Sequence, residues 1–124
     1  MAYTTQQKLA VIGVIENSSQ PLTPGEICDA ARKEIPAIGI ATVYRALKQF
    51  VEEGSVRSVE VPGASPHYEH ASRQHHHFFL CQQCRRIFNL LGCVKGVESM
   101  APEGFRVRRH EIVLYGDCPE CLAA

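Results

Sequence analysis

Four cysteines in the C-terminal third of this 124-residue chain have the spacing of metal ligands. They form two Cys-x-x-Cys pairs, Cys81/Cys84 and Cys118/Cys121, with 33 residues between the pairs. Each Cys-x-x-Cys turn can present two sulfurs to one side of a tetrahedral zinc ion, so two turns complete its coordination. The sequence therefore predicts a closed four-cysteine structural zinc site. Such a site has no open position for catalysis, and we do not expect an enzyme.

Other uses of these cysteines fit the sequence less well. Two disulfides would require an oxidising compartment, but the first ten residues contain no apolar signal segment, and Cys28 and Cys93 are also present. A thioredoxin-like redox motif would lie beside a βαβ pattern, which the sequence does not indicate. No apolar run is long enough to span a bilayer, so we expect a cytoplasmic protein without a membrane partner.

A run of three histidines, His75–His77, precedes the first cysteine pair. Imidazole is the commonest transition-metal ligand, although three adjacent histidines could also form a solvated strand end. On a strand, alternate side chains point to opposite faces. We therefore expect His75 and His77 to share one face and His76 to lie on the other.

The N-terminal half has the pattern of three helices. Apolar residues recur at helical spacing from Thr4 to Ile15, and Asn17-Ser18-Ser19 ends this first helix. Thr23-Pro24-Gly25-Glu26 is a capping box with a proline at the first helical position, so it predicts the start of the second helix. The third helix is predicted from Ile38 to Glu53 and is closed by Gly54.

After Gly54 the apolar period changes to that of a β-hairpin, whose turn is Pro62–Pro66 and whose second strand is His67–His70. Three helices followed by a hairpin predict a winged helix-turn-helix, in which the third helix enters the major groove of DNA. Residues 1–70 carry six basic and eight acidic side chains, which argues against indiscriminate nucleic-acid binding. The predicted DNA contacts are the polar or basic residues Thr42, Tyr44, Arg45, Lys48 and Arg57.

The C-terminal half mixes strand and helix patterns. Strands are predicted at residues 76–80, 86–91 and 105–115, with a short helix at residues 93–100. The fold class is therefore α+β, with a winged-helix DNA-binding domain at 1–70 and a small α/β domain with the four-cysteine zinc site at 71–124.

The segment Gly39–Leu47 (GIATVYRAL), the wing, the histidine run and the two cysteine pairs together resemble the ferric uptake regulator family of bacterial metal-responsive repressors. The resemblance covers essentially the whole chain in the same order. It implies a homodimer that binds palindromic double-stranded DNA operators, with Tyr44 and Arg45 contacting base and phosphate and the C-terminal domain dimerising. It also implies structural zinc and a second, regulatory divalent metal (zinc, iron or manganese) that acts as co-repressor.

The resemblance further implies two candidate sets of regulatory ligands. The more complete set is His75, His77, Glu98 and His110. The second set is incomplete, because Phe78 and Asn89 stand where relatives carry a histidine and an acid; it comprises Glu69, His70, His76 and Cys93. Cys93 could also substitute in the first set, where a thiolate would favour zinc over iron or manganese.

Several alternatives stay open. Within the family, a peroxide-responsive or haem-responsive regulator is possible, and Cys93 could be a buried residue, a ligand or a redox contact. A zinc-storage or zinc-handling protein would be a different class. Such a protein would have no use for Thr42, Tyr44, Arg45 and a wing.

Overall fold

The N-terminal half of the chain folds as three helices and a hairpin, as predicted. The structure is a computed structural model that describes residues 5–74 and 76–124. The elements of this half are α1 (Thr5–Asn17), α2 (Pro24–Ala31), α3 (Ile40–Glu53), β1 (Val56–Val59) and β2 (His67–His70). The two strands pair antiparallel, with Arg57 opposite Glu69. Residue Thr4, where the first helix was predicted to start, lies outside the described residues.

Local hydrogen bonds explain where α2 begins and where α3 begins and ends. The Thr23 hydroxyl accepts from the Glu26 amide at 3.1 Å, and the Glu26 carboxylate accepts from the Thr23 amide at 3.0 Å, so the predicted capping box is formed. Helix α3 starts at Ile40 rather than at Ile38, because the Ile38 amide closes a tight turn onto the Ile35 carbonyl. Gly54 ends α3 in the left-handed conformation with φ 83°.

The first core lies between the three helices and the hairpin. Each helix contributes apolar side chains that are at most 1% exposed, among them Val11, Ile27, Val43 and Leu47. A backbone bridge between Leu22 and Tyr68 ties the segment before α2 to β2, with N–O distances of 3.0 and 2.7 Å. This packing buries one face of α3 and leaves the opposite face on the surface.

The C-terminal half contains a three-stranded mixed sheet in the order β4-β3-β5. Strand β3 (His77–Cys81) pairs antiparallel with β4 (Ile87–Leu90) and parallel with β5 (Val113–Gly116). A 3₁₀ turn (Val97–Met100) lies between β4 and β5, and a short helix α4 (Pro119–Ala123), which was not predicted, follows β5.

Two predicted elements are shorter in the structure. The strand predicted over residues 105–115 is present only from Val113, because β3 offers five residues for pairing and the preceding segment is largely exposed. The helix predicted at residues 93–100 is reduced to the 3₁₀ turn. Gly96 has a left-handed φ of 79° and interrupts any helix before residue 97.

The two halves share a second, smaller core. Val59 and Val61 at the base of the wing pack with Leu80 and Ile87 of the sheet, and all four are at most 5% exposed. The predicted boundary between 1–70 and 71–124 falls at the turn that follows β2, and the division into two domains stays a prediction. In the described part of the chain, no helix has the length and apolar character needed to cross a bilayer.

Candidate metal centres and nucleic-acid interface

The four cysteines of the two Cys-x-x-Cys pairs converge on one point beside the sheet. Cys81 ends β3, Cys84 follows it in a turn, and Cys118 and Cys121 lie at the start of α4 and within it. All four sulfurs are within 4.8 Å of one another, with Cys81–Cys121 at 3.7 Å and Cys84–Cys118 at 3.8 Å. A tetrahedral zinc ion with Zn–S bonds of about 2.3 Å requires sulfurs about 3.8 Å apart. These residues therefore fit a structural zinc ion with almost no rearrangement.

Hydrogen bonds around the cluster lower the pKa of two of its thiols. The Cys84 backbone N–H, assisted by that of Cys118, lowers the pKa of Cys81 to about 6. The Arg86 guanidinium donates to the Cys84 sulfur at 3.4 Å and lowers the pKa of Cys84. The hydrogen bond with Cys118 raises the pKa of Cys121 to about 12. Zinc binding must therefore displace a proton from Cys121.

A second cluster of metal-ligating atoms lies at the opposite end of β3. His77 Nε2 is 3.2 Å from Cys93 Sγ, which is 2.8 Å from His110 Nε2, and the three atoms lie within 4.8 Å of one another. A tetrahedral zinc ion would hold nitrogen and sulfur ligands about 3.5 Å apart, given bonds of about 2.0 and 2.3 Å. Each imidazole nitrogen needs to move away from the Cys93 sulfur by less than 1 Å to reach that spacing. His75, predicted in the same set, lies outside the described residues.

Glu98 takes a different place from the one predicted for it. Its carboxylate Oε1 is 3.4 Å from His110 Nδ1, whereas His110 Nε2 faces Cys93. Glu98 is therefore on the far side of the imidazole from the cluster, and Cys93 is the third member of the cluster. A carboxylate that accepts from the other ring nitrogen fixes the orientation of a metal-binding histidine and increases its basicity.

The hydrogen bonding of His77 ties the cluster to the segment that leads into β5. The Ile112 backbone N–H donates to His77 Nδ1 at 3.1 Å. If a metal binds Nε2, the neutral ring carries its proton on Nδ1, which can then no longer accept from Ile112. Metal binding would thus exchange this hydrogen bond, worth about 1 kcal/mol, for a metal–ligand bond.

The second predicted ligand set is not brought together. Glu69 and His76 are in contact at 3.0 Å, but His70 Nδ1 is hydrogen-bonded to Ser72 Oγ at 2.6 Å, and Cys93 belongs to the other cluster. Adjacent residues of a strand face opposite sides, so Glu69 is buried while His70 points away from it. Arg57 contacts the same Glu69 carboxylate at 2.7 Å.

The positions of Phe78 and Asn89 contain no replacement ligand. The Phe78 ring packs edge-on against His76, with 5.0 Å between the ring centroids. The Asn89 side chain donates to the Ser19 carbonyl at 2.5 Å, and its backbone N–H donates to Gln20 Oε1 at 2.6 Å. These hydrogen bonds join β4 to the segment that follows α1.

The exposed face of α3 forms the candidate nucleic-acid interface. Tyr44 is 54% exposed, Arg45 and Lys48 are exposed, and Arg45 donates to Thr42 Oγ1 at 3.2 Å. Residues 40–51 contain no acidic side chain, so this face carries positive charge although the domain as a whole does not. Arg57, in contrast, points its guanidinium at Glu69. Its predicted DNA contact stays a prediction.

A winged helix joined to a sheet with a four-cysteine cluster and a second metal-ligating cluster is the architecture of a metal-responsive DNA-binding regulator. Comparison with known proteins agrees with this class. Residues 2–115 match the model of the ferric uptake regulator family. The peroxide operon regulator of Bacillus subtilis (strain 168) is 32% identical over 121 residues, which cover 94% of this chain and 82% of that protein.

Solved structures show the same fold. The Helicobacter pylori ferric uptake regulator Fur superposes with a TM-score of 0.77 at 24% identity, covering 97% of this chain and 82% of that one. FurB of Mycobacterium tuberculosis, described as a zinc uptake regulator, has a TM-score of 0.53 at 28% identity and covers 94% of this chain and 93% of that one. The chain therefore belongs to the ferric uptake regulator family and is a metal-dependent DNA-binding repressor with structural zinc and a regulatory divalent metal.

The role of Cys93 was left open by the sequence, because its position depends on the pairing register of β3 and β4, which the sequence pattern does not specify. His77 pairs with Leu90, so the residues just after β4 must return near the start of β3. Gly92, with a left-handed φ of 86°, makes the turn that brings Cys93 there. Cys93 lies three residues after Leu90, the strand partner of His77, and is therefore close enough to His77 to serve as a ligand beside it.

Proposed function

We propose that the regulatory metal of this repressor binds at His77, Cys93 and His110, and that the chain acts as a homodimer on palindromic operators. The observation that carries the proposal is the convergence of these three side chains from separate parts of the C-terminal half. Glu98 supports the site by orienting His110. His75 remains a predicted fourth ligand.

The donor set favours zinc. Two imidazoles and one thiolate are softer than the imidazole and carboxylate sets that suit iron or manganese. The similarity to a protein described as a zinc uptake regulator supports this choice. A peroxide-responsive role is the second candidate, because the Bacillus subtilis relative is a peroxide operon regulator.

The proposed mechanism is a linkage between metal binding and the arrangement of the two halves. His77 begins β3, and its neighbour His76 contacts Glu69 on the wing at 3.0 Å. A metal that holds His77 against Cys93 and His110 also fixes where His76 meets the wing. Metal then binds the DNA-competent arrangement more tightly than the alternatives and increases its population.

The proposed dimer accounts for the apolar surface of the C-terminal half. Exposed large apolar side chains are concentrated there, including Leu91 at 92%, Val94 at 63% and Leu122 at 69% exposure. Part of β5 is also exposed, with Leu114 at 50% and Tyr115 at 46%. Burial of this surface against a second copy would place two α3 helices symmetrically, as a palindromic DNA site requires.

Variants of the metal cluster test the proposal directly. A palindromic duplex is selected from a random-sequence library with zinc-loaded protein, and its binding is followed by fluorescence anisotropy as free zinc is varied. We expect Cys93→Ser and His110→Ala to lose the zinc dependence and to retain one zinc ion per chain in the four-cysteine site. His70→Ala is the matched control, because His70 contacts Ser72 outside the cluster. A normal zinc response in both cluster variants would overturn the proposal.

The same assay separates the regulator from a zinc-storage protein. In a regulator, Arg45→Ala weakens DNA binding because Arg45 lies on the exposed face of α3. The metal content stays unchanged because Arg45 belongs to neither metal-ligating cluster. A storage protein would bind zinc at both clusters with no zinc-dependent affinity for any selected duplex. Addition of iron or manganese in place of zinc identifies the activating metal.

A further inference from the structure

We propose that the Arg57 guanidinium acts as a built-in cation at the Glu69–His76 pair and excludes a divalent metal from this position between the wing and the C-terminal sheet. The proposal does not depend on the identity of the metal at His77, Cys93 and His110. Among the described residues, this position would then hold no metal, although Glu69 and His76 are two members of a candidate ligand set.

The first observation is that each oxygen of the Glu69 carboxylate already has a partner. Arg57 Nε donates to Glu69 Oε2 at 2.7 Å, and His76 Nε2 lies 3.0 Å from Glu69 Oε1. The side chains of Glu69 and His76 are 1% and 8% exposed. A buried carboxylate requires a paired positive charge or a metal, and here the guanidinium supplies that charge.

The second observation is the orientation of His76. Its Nδ1 faces the Gln74 carbonyl oxygen at 2.5 Å, and its Nε2 faces the Glu69 carboxylate. Both ring nitrogens of His76 are therefore engaged by oxygen atoms of the chain itself. A metal at His76 Nε2 would have to take the place of its contact with the Glu69 carboxylate.

The third observation is that Arg57 is held in place from a second direction. Its Nη2 donates to the Arg73 carbonyl at 3.0 Å, and the Arg73 guanidinium in turn donates to the Ser18 carbonyl. Hydrogen bonds to β2 and to the segment after β2 therefore hold the Arg57 guanidinium in one orientation. A divalent ion beside Glu69 would have to displace this group or tolerate its like charge.

Manganese(II) is a suitable probe because it prefers carboxylate and imidazole ligands to thiolates. Zinc-loaded protein is titrated with Mn²⁺, and the free ion is measured by electron paramagnetic resonance. We expect the native chain to bind no Mn²⁺ that depends on Glu69. We expect Arg57→Met and Arg57→Gln to gain one Mn²⁺ site per chain that is at least tenfold tighter than any Mn²⁺ binding by the native chain. We expect Glu69→Gln to abolish this gain in either background.

Arg106→Met is the matched control, since Arg106 is exposed and its replacement removes the same charge. Native protein that binds Mn²⁺ with a dependence on Glu69 would overturn the proposal. So would folded Arg57 variants, verified by circular dichroism, that gain no Mn²⁺ site. Both substitutions are expected to fold because the Arg57 side chain is 43% exposed. Arg57→Gln also keeps an N–H donor for the Glu69 carboxylate, which Arg57→Met removes. Because Cys93 and His110 are unchanged in these variants, failure here is distinguishable from failure of the proposed regulatory site.

Discussion

Replacement of Glu98 by alanine is expected to weaken the regulatory metal site without dismantling it. The carboxylate lies 3.4 Å from His110 Nδ1, on the side of the ring away from Cys93. Loss of such a partner typically reduces metal affinity by about 10-fold to 100-fold. Because the Glu98 side chain is 57% exposed and the contact is long, we expect the lower end, about tenfold, or about 1.4 kcal/mol.

The effect is measurable in two ways. Competition with a zinc-chelating dye gives the affinity of the second zinc ion, and anisotropy of the selected duplex gives the free zinc concentration at half-maximal binding. Linkage requires that both midpoints shift in the same direction by a similar factor. Glu103→Ala is the control, because Glu103 is an exposed acid on the same segment.

The effects of Glu98→Ala and His110→Ala on zinc affinity should not add. Since Glu98 acts through His110, we expect Glu98→Ala to have little further effect in a His110→Ala background. An unchanged zinc midpoint in the single variant would refute the orienting role of Glu98. An equal loss in both backgrounds would show that Glu98 acts independently of His110.

Three further predictions follow from other parts of the structure. Arg86→Ala should raise the pKa of Cys84 toward its ordinary 9.0, so that protons compete better for this ligand and zinc is released at a higher pH on acidification. A chelating dye would detect the released zinc. An unchanged release pH would contradict the role of Arg86. Arg45→Ala should reduce the slope of log affinity for DNA against log salt by about 0.9, and an unchanged slope would mean that Arg45 makes no phosphate contact. Thr23→Ala removes the capping box of α2 and should cost about 1 kcal/mol in urea unfolding of the zinc-loaded protein; no loss would show that the cap contributes nothing.

Local signals in the sequence predicted the N-terminal half well. The Thr23–Glu26 capping box and Gly54 act within one helical turn, so their effect depends little on the rest of the fold. The hairpin could be predicted because its two strands are close in sequence. The start of α3 was placed two residues early, because the turn at Ile38 depends on a contact with Ile35 that periodicity does not encode.

Predictions for the C-terminal half were less accurate because its elements depend on pairing between distant residues. The segment before Val113 has strand-like composition, but its contacts with β3 end at Ile112, so most of it stays irregular. The four cysteines were correctly expected to converge, since their spacing alone restricts the geometry. The placement of Cys93 beside His77 and of Arg57 beside Glu69 follows from strand register, which the sequence pattern did not specify.

The most direct test of the regulatory site is the metal content of the purified protein before and after mild chelation, with binding to the selected duplex measured on the same samples. The proposed site predicts two zinc ions per chain, of which chelation removes one, and predicts that DNA binding is lost with this ion and restored by added zinc. One retained zinc ion, with DNA binding indifferent to chelation and to added metals, would contradict a regulatory site at His77, Cys93 and His110.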